Sequence, residues 1–117
     1  MKLLHVTIQT SKFEEEIKFY QTNVGLQIQR DLRPAGKQIV FLADGNDETC
    51  VEIIENPEAD AAGNEYISIG FKTQDVEAKR EEFENLGYNP TPMFSPMPRV
   101  KFFYVKDPAG VKVQFMQ

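Results

Sequence analysis

A chain of 117 residues can bury one hydrophobic core but is too short for two independent domains, which predicts a single domain. Its 41% hydrophobic and 26% charged residues are typical of a globular protein and exclude a disordered or fibrous chain. The net charge of -5 excludes a general attraction to phosphate backbones and anionic membranes, so neither nucleic acid nor a membrane is an expected partner.

The single cysteine and the N-terminal sequence predict a cytoplasmic location. Because Cys50 has no second cysteine to pair with, neither an intrachain disulfide nor a thiolate cage for zinc can form, which suits a reducing compartment. The first residues turn polar by Gln9, too early for the apolar core of a signal peptide. No apolar run approaches the length that spans a membrane.

The first half of the chain begins with a strand and a helix. Alternating apolar residues predict a strand over 2–9. Apolar residues three and four positions apart then predict a helix over about 12–24, opened by a capping box from Ser11 to Glu14 and closed by Gly25.

Three strands and a linker complete this half, which predicts a βαβββ unit. The strands are expected at 27–32, 38–42 and 50–55, separated by turn sequences at 34–36 and 44–47. Residues 56–65 are polar and without apolar periodicity, so they are predicted to be a surface linker.

The second half repeats the first. Placing Ser68 on His5, an offset of 63 residues, also places Phe83 on Tyr20. Asp75 is expected to cap a second helix, whose apolar residues are Val76, Phe83 and Leu86 and which ends at Gly87. With the offset reduced to 62, the strand around Val113 falls on the strand around Val51. The chain is therefore predicted to be two copies of one unit.

The first and last strands of each copy have two chemically different faces. The apolar set, expected to face the helices, comprises Leu4, Val6, Ile8, Val51, Ile53, Ile67, Ile69, Phe71, Val113 and Phe115. The opposite, polar set comprises His5, Glu52, Ser68 and Gln114. Since strand parity places these four on the other sheet faces, they are predicted to line a pocket enclosed by two curved sheets.

Four sequence motifs resemble those of the vicinal oxygen chelate superfamily, which contains glyoxalases, bleomycin resistance proteins and dioxygenases. They are His-Val-Thr-Ile at 5–8 followed by Phe19-Tyr20, Val-Glu-Ile at 51–53, the segment 68–76, and Asp-Pro-Ala-Gly-Val-Lys-Val-Gln at 107–114. The resemblance implies an α+β fold of duplicated βαβββ modules, whose curved mixed sheets form a cup. Module one would span about 1–55, the linker about 56–65 and module two about 66–117, and a homodimer would be the default assembly.

The resemblance also implies a set of metal ligands, which this chain keeps only in part. His5 and Glu52 match the family's ligands, and Gln114 replaces a glutamate but keeps an oxygen donor. Ser68 replaces a histidine, and a hydroxyl is a poor ligand. One divalent ion (Zn, Ni, Mn, Co or Fe) is therefore a candidate cofactor, with no cofactor as the alternative. With a single histidine, a two-histidine iron site of the dioxygenase type is disfavoured.

Further candidates for ligand contacts are Ser68, Arg99, Phe103 and Tyr104. Arg99 lies where the family often has a substrate-side basic residue, in a proline- and methionine-rich segment, 92–99, expected to be a lid or a loop over the core. Phe103 and Tyr104 point to opposite faces of one strand, and the sequence leaves open which face lines the pocket.

Three functions are compatible with this sequence. The first is a small-molecule-binding protein that is also a metal-dependent lyase or isomerase of the lactoylglutathione lyase type, with Glu52 as its catalytic base because Gln114 cannot take a proton. The second is a metal-free binding or sequestering protein of the resistance type. The third is a domain whose cup serves association with a protein partner.

Overall fold

The structure, a computed structural model, describes residues 1–45, 49–59 and 65–117. The chain forms two compact units, Met1–Ala61 and Ala62–Gln117. Each unit contains a mixed four-stranded sheet and a helical segment, so the α+β class and the two modules are confirmed. That both units make one domain stays a prediction. Residues 46–47 of the predicted turn at 44–47 and residues 60–64 of the predicted linker at 56–65 lie outside the described residues.

The first unit has the predicted order of elements. They are β1 (His5–Thr10), α1 (Phe13–Lys18), β2 (Gln27–Asp31), β3 (Ile39–Ala43) and β4 (Cys50–Glu55). The strands lie in the order β1-β4-β3-β2, with β1 parallel to β4 and the other pairs antiparallel. The first and last strands of the unit are therefore neighbours in its sheet.

The second unit repeats this arrangement. Its elements are β5 (Ser68–Lys72), α2 (Val76–Asn85), β6 (Phe94–Met97), β7 (Val100–Lys106) and β8 (Lys112–Met116). The strand order is β5-β8-β7-β6, and β5 is parallel to β8. The prediction of a lid or loop at 92–99 is wrong in part, because this segment contains β6, which pairs with β7.

Strand register confirms the internal repeat. Thr7 pairs with Glu52 in the first unit, and Gly70 pairs with Gln114 in the second. The same correspondence relates the pair of His5 with Cys50 to the pair of Ser68 with Lys112. Because side chains alternate along a strand, equal registers place equivalent residues on the same face in both units.

The helix-facing side of each sheet holds the core, but the predicted apolar set is buried only towards its middle. Its buried members are Ile8, Val51, Ile53, Val113 and Phe115. Leu4 and Ile67 are each 65% exposed because they precede the first residues of β1 and β5. Leu86, expected on the apolar face of α2, is also exposed, since it follows the last helical turn as the C-cap.

The first helix differs from its prediction at its start and in its second half. The N-cap is Lys12, whose side chain makes no capping hydrogen bond, so the capping box from Ser11 to Glu14 does not form. Instead, the Thr10 hydroxyl oxygen accepts a hydrogen bond from the Lys12 amide at 2.9 Å. After α1 the helix continues in a π-helical conformation over Phe19–Val24 and ends at Gly25, whose φ is 91°.

The second helix has the predicted N-cap and end. Its N-cap, Asp75, accepts a hydrogen bond from the Ala78 amide at 3.0 Å, and Gly87 follows its end with a φ of 83°. Val76 and Phe83 are fully buried against the sheet. No helix within the described ranges is long and apolar enough to cross a membrane.

We expect Asp75→Ala to lower the free energy of unfolding by about 1 kcal/mol, because it removes the oxygen that caps α2. Urea denaturation followed by circular dichroism measures this change. Asp75→Asn is the control, since its side-chain oxygen can still accept the Ala78 hydrogen bond. Equal stabilities for both variants would contradict the capping role.

Candidate functional site

In the first unit, the polar face of the sheet is organised around Glu52. The Thr7 hydroxyl donates a hydrogen bond to Glu52 Oε1 at 2.6 Å, and His5 Nε2 lies 3.5 Å from the same oxygen. The His5 ring packs edge-on against Phe41, with ring centroids 5.9 Å apart. As predicted from strand parity, His5 and Glu52 lie on the same face. One oxygen of the Glu52 carboxylate already accepts a hydrogen bond from within the chain.

Cys50 lies on the same face, two residues before Glu52 on β4. Its thiol donates a hydrogen bond to Gln29 Oε1 at 2.6 Å. Gln29 lies in β2 between Ile28 and Arg30, where the register shifts at an irregularity. This contact places Gln29 beside the polar face, which the sequence pattern did not predict.

In the second unit, the corresponding face is organised around Gln114. Its Nε2 donates a hydrogen bond to the Tyr104 hydroxyl at 3.3 Å. Gly70 stands where the first unit has Thr7, and a Cβ atom at this position would lie 3.1 Å from Gln114 Oε1. The glycine therefore leaves room for the amide. A cavity of about 470 Å³ opens here, lined by Gly70, Phe71, Lys72, Gln114, Met116 and Gln117.

Aromatic rings cover the part of this face next to Gln114. Phe94 stacks on Phe102 with centroids 5.5 Å apart, and Tyr104 meets Phe102 edge-on at 5.7 Å and Phe94 at 6.2 Å. We call Phe94, Phe102 and Tyr104 the aromatic cluster. Phe94 remains 43% exposed, so the cluster presents apolar surface to its surroundings.

The other predicted ligand-binding residues are not brought together. Ser68 is exposed at the start of β5 and pairs in register with Lys112. Arg99 lies in the turn between β6 and β7 with a φ of 72°, a left-handed conformation that favours glycine.

Phe103 lies on the helix-facing side of β7 and is fully buried. It stacks on Phe115 at 5.5 Å and meets Phe83 of α2 at 6.2 Å. The structure thus answers the question that parity left open, because the polar face carries Tyr104. Phe103 belongs to the core, and we leave it out of the candidate site.

The metal donors present in the first unit do not make a complete site. His5 and Glu52 are two donors, whereas zinc sites in proteins use three or four protein ligands. In the part of the chain that the structure describes, no group of three or more His, Cys, Asp or Glu side chains could hold a metal ion. Gln114, the third predicted ligand, is hydrogen-bonded to Tyr104.

The chain has two mixed sheets, each with an apolar side that faces a helix and a polar side. The two polar sides carry equivalent residues, which defines a duplicated βαβββ protein. The chain matches the family model of the Glyoxalase/Bleomycin resistance protein/Dioxygenase superfamily over residues 2–115, and it belongs to this superfamily. No curated protein sequence matches it.

Solved structures of superfamily type share the fold at low sequence identity. FosX, a fosfomycin resistance protein from Listeria monocytogenes, is 17% identical, with a TM-score of 0.79 over 99% of this chain and 92% of that chain. TnmS3, an antibiotic binding protein from Streptomyces sp. CB03234, is 16% identical, with a TM-score of 0.74 over 98% and 93%. Lactoylglutathione lyase from Agrobacterium tumefaciens is 20% identical, with a TM-score of 0.69 over 97% and 91%.

Substitutions at two neighbouring residues of β7 test which face of this strand carries the site. We expect Phe103→Leu to lower the free energy of unfolding by about 1–2 kcal/mol, because it leaves a void between β7, β8 and α2. We expect Tyr104→Phe to cost about 0.5 kcal/mol or less, because it removes only one long hydrogen bond on a partly exposed face. Urea denaturation measures both changes, and the reverse order of costs would contradict this assignment.

Proposed function

We propose that this chain binds a small organic molecule with a flat apolar part, and that binding requires no metal ion. The observation that carries the proposal is the aromatic cluster, whose three rings lie on the polar face of the second unit beside Gln114. Aromatic side chains in a concave site bind flat ligands by stacking, while a few polar groups fix the orientation of the ligand.

The state of the polar side chains supports binding without a metal. Glu52 Oε1 accepts a hydrogen bond from Thr7, and Gln114 is a neutral amide that donates to Tyr104. Gln114 can orient a ligand by hydrogen bonding but cannot take a proton from it. A sequestering protein needs contacts of this kind and no catalytic base.

One observation favours a second function, a metal-dependent lyase or isomerase. His5 Nε2 and Glu52 Oε1 lie 3.5 Å apart, so these two side chains could point at a common divalent ion. In that case His5, Glu52 and Gln114 would be its ligands, and Glu52 would also be the catalytic base. The proposal further includes a homodimer in the cytoplasm as the working form.

Removal of one ring tests the binding proposal. We expect 2-naphthamide, a flat neutral probe, to bind the protein, and Phe102→Ala to weaken binding about five- to tenfold because half of the stacked Phe94–Phe102 pair is lost. Isothermal titration calorimetry measures both affinities, and circular dichroism verifies that the variant folds.

Tyr66→Ala is the control for this experiment. Tyr66 is an aromatic residue of the same unit, is 97% exposed and lies outside the aromatic cluster. Its substitution should leave the affinity unchanged. The binding proposal fails if the wild-type protein does not bind the probe, or if Phe102→Ala and Tyr66→Ala weaken binding equally.

Metal addition separates the two functions. We expect the purified protein to contain no stoichiometric metal, and its melting temperature to stay constant with nickel, zinc, manganese or cobalt. An ion present at a hundred times its Kd would stabilise the folded state by about 2.7 kcal/mol. A rise in melting temperature that His5→Ala and Glu52→Gln abolish would support the lyase or isomerase instead.

A further inference from the structure

The polar face of the second unit changes from aromatic to cationic along β7. Phe102, Tyr104 and Lys106 alternate on this face, and their register partners on β8 are Met116, Gln114 and Lys112. Residues two apart on a strand are separated by about 6.6 Å. The ammonium groups therefore follow the aromatic cluster at the C-terminal end of β7, in a chain whose net charge is -5.

Lys106 and Lys112 are directly opposite each other on the two antiparallel strands. Like charges in this position destabilise a sheet unless a countercharge lies between them. Since Lys112 also lies over the Tyr104 ring, with Nζ 4.3 Å from the ring centroid, one of the two ammonium groups is directed towards the aromatic cluster.

Glu65 supplies the countercharge. Lys106 Nζ donates a hydrogen bond to Glu65 Oε1 at 2.7 Å, and Lys112 Nζ donates to the Glu65 carbonyl oxygen at 3.3 Å. The hydrogen bond from Lys106, and then its charge, lower the pKa of Glu65. Both side chains of the ion pair are more than half exposed, so a carboxylate from solution can compete with Glu65.

These groups line a cavity with space for a ligand group. Its volume is about 380 Å³, and its lining includes Tyr88, Thr91, Tyr104, Lys106, Lys112 and Glu65. Tyr104 belongs both to this lining and to the aromatic cluster. A single ligand can therefore contact the rings and the ammonium groups at once.

We propose that Lys106 and Lys112 form an anion site for the charged end of a ligand whose flat part packs on the aromatic cluster, and that Glu65 occupies this site when no ligand is bound. The inference rests on the proposed binding function and adds the chemical class of the ligand, an aromatic carboxylate. The ligand carboxylate replaces that of Glu65 as the ion-pair partner, and no covalent bond is formed or broken.

A pair of probes with the same ring tests this inference. We expect 2-naphthoate to bind the wild-type protein about fivefold more tightly than 2-naphthamide at constant ionic strength, the size that one exposed ion pair can supply. Lys112→Gln should remove most of this preference. Glu65→Gln should strengthen 2-naphthoate binding about threefold, because it removes the competing carboxylate, and should leave 2-naphthamide binding unchanged.

The ion pair of Lys101 with Glu77 provides the matched controls. These residues are 2.8 Å apart and partly exposed, but Lys101 lies on the other face of β7. Lys101→Gln and Glu77→Gln should change neither affinity. The anion site is overturned, while the binding function stands, if the wild-type protein binds both probes equally. The same holds if the preference for 2-naphthoate persists in the Lys106→Gln/Lys112→Gln variant. Binding of neither probe overturns both.

Discussion

The parallel pairing of the first strand with the last fixes the centre of the polar face in each unit. In the first unit this pairing places Thr7 beside Glu52, and in the second it places Gly70 beside Gln114. A shift of one residue would turn Glu52 into the core beneath the helix and Ile53 out of it. Since a buried carboxylate without partners costs several kcal/mol, core packing and the polar face require the same register.

The two copies use this common register for different chemistry. In the first unit a hydroxyl, an imidazole and a carboxylate converge, and the carboxylate is held by Thr7. In the second unit a glycine and an amide replace the hydroxyl and the carboxylate, and aromatic rings lie beside them. A duplicated fold allows this divergence because each polar face lies opposite its own core, so substitutions there change the chemistry with little effect on packing.

Among the sequence patterns, the alternation of side chains along the strands predicted the site best. It placed His5 and Glu52 on one face and identified Gln114 on the equivalent face, and the internal offset predicted the matching registers. Parity could not tell which side of β7 faces the helix, because Phe103 and Tyr104 are both aromatic. It also could not predict where a strand begins, which is why Leu4 and Ile67 are exposed. The contact of Thr7 with Glu52 could have been predicted in the same way, because Thr7 lies two residues after His5 and therefore on the same face of β1.

The site residues that the sequence pattern did not predict depend on contacts between distant segments. Phe94 joins the aromatic cluster only because β6 pairs with β7, and the prolines around it favoured a loop interpretation.

The strand β6 also bears on the choice between a small molecule and a protein partner. β6 is an edge strand of its sheet, and Pro96 within it has no N–H group to donate to an added strand. Pairing of a partner's strand with this edge is thereby disfavoured, whereas the adjacent ring surface remains open to stacking by a flat ligand.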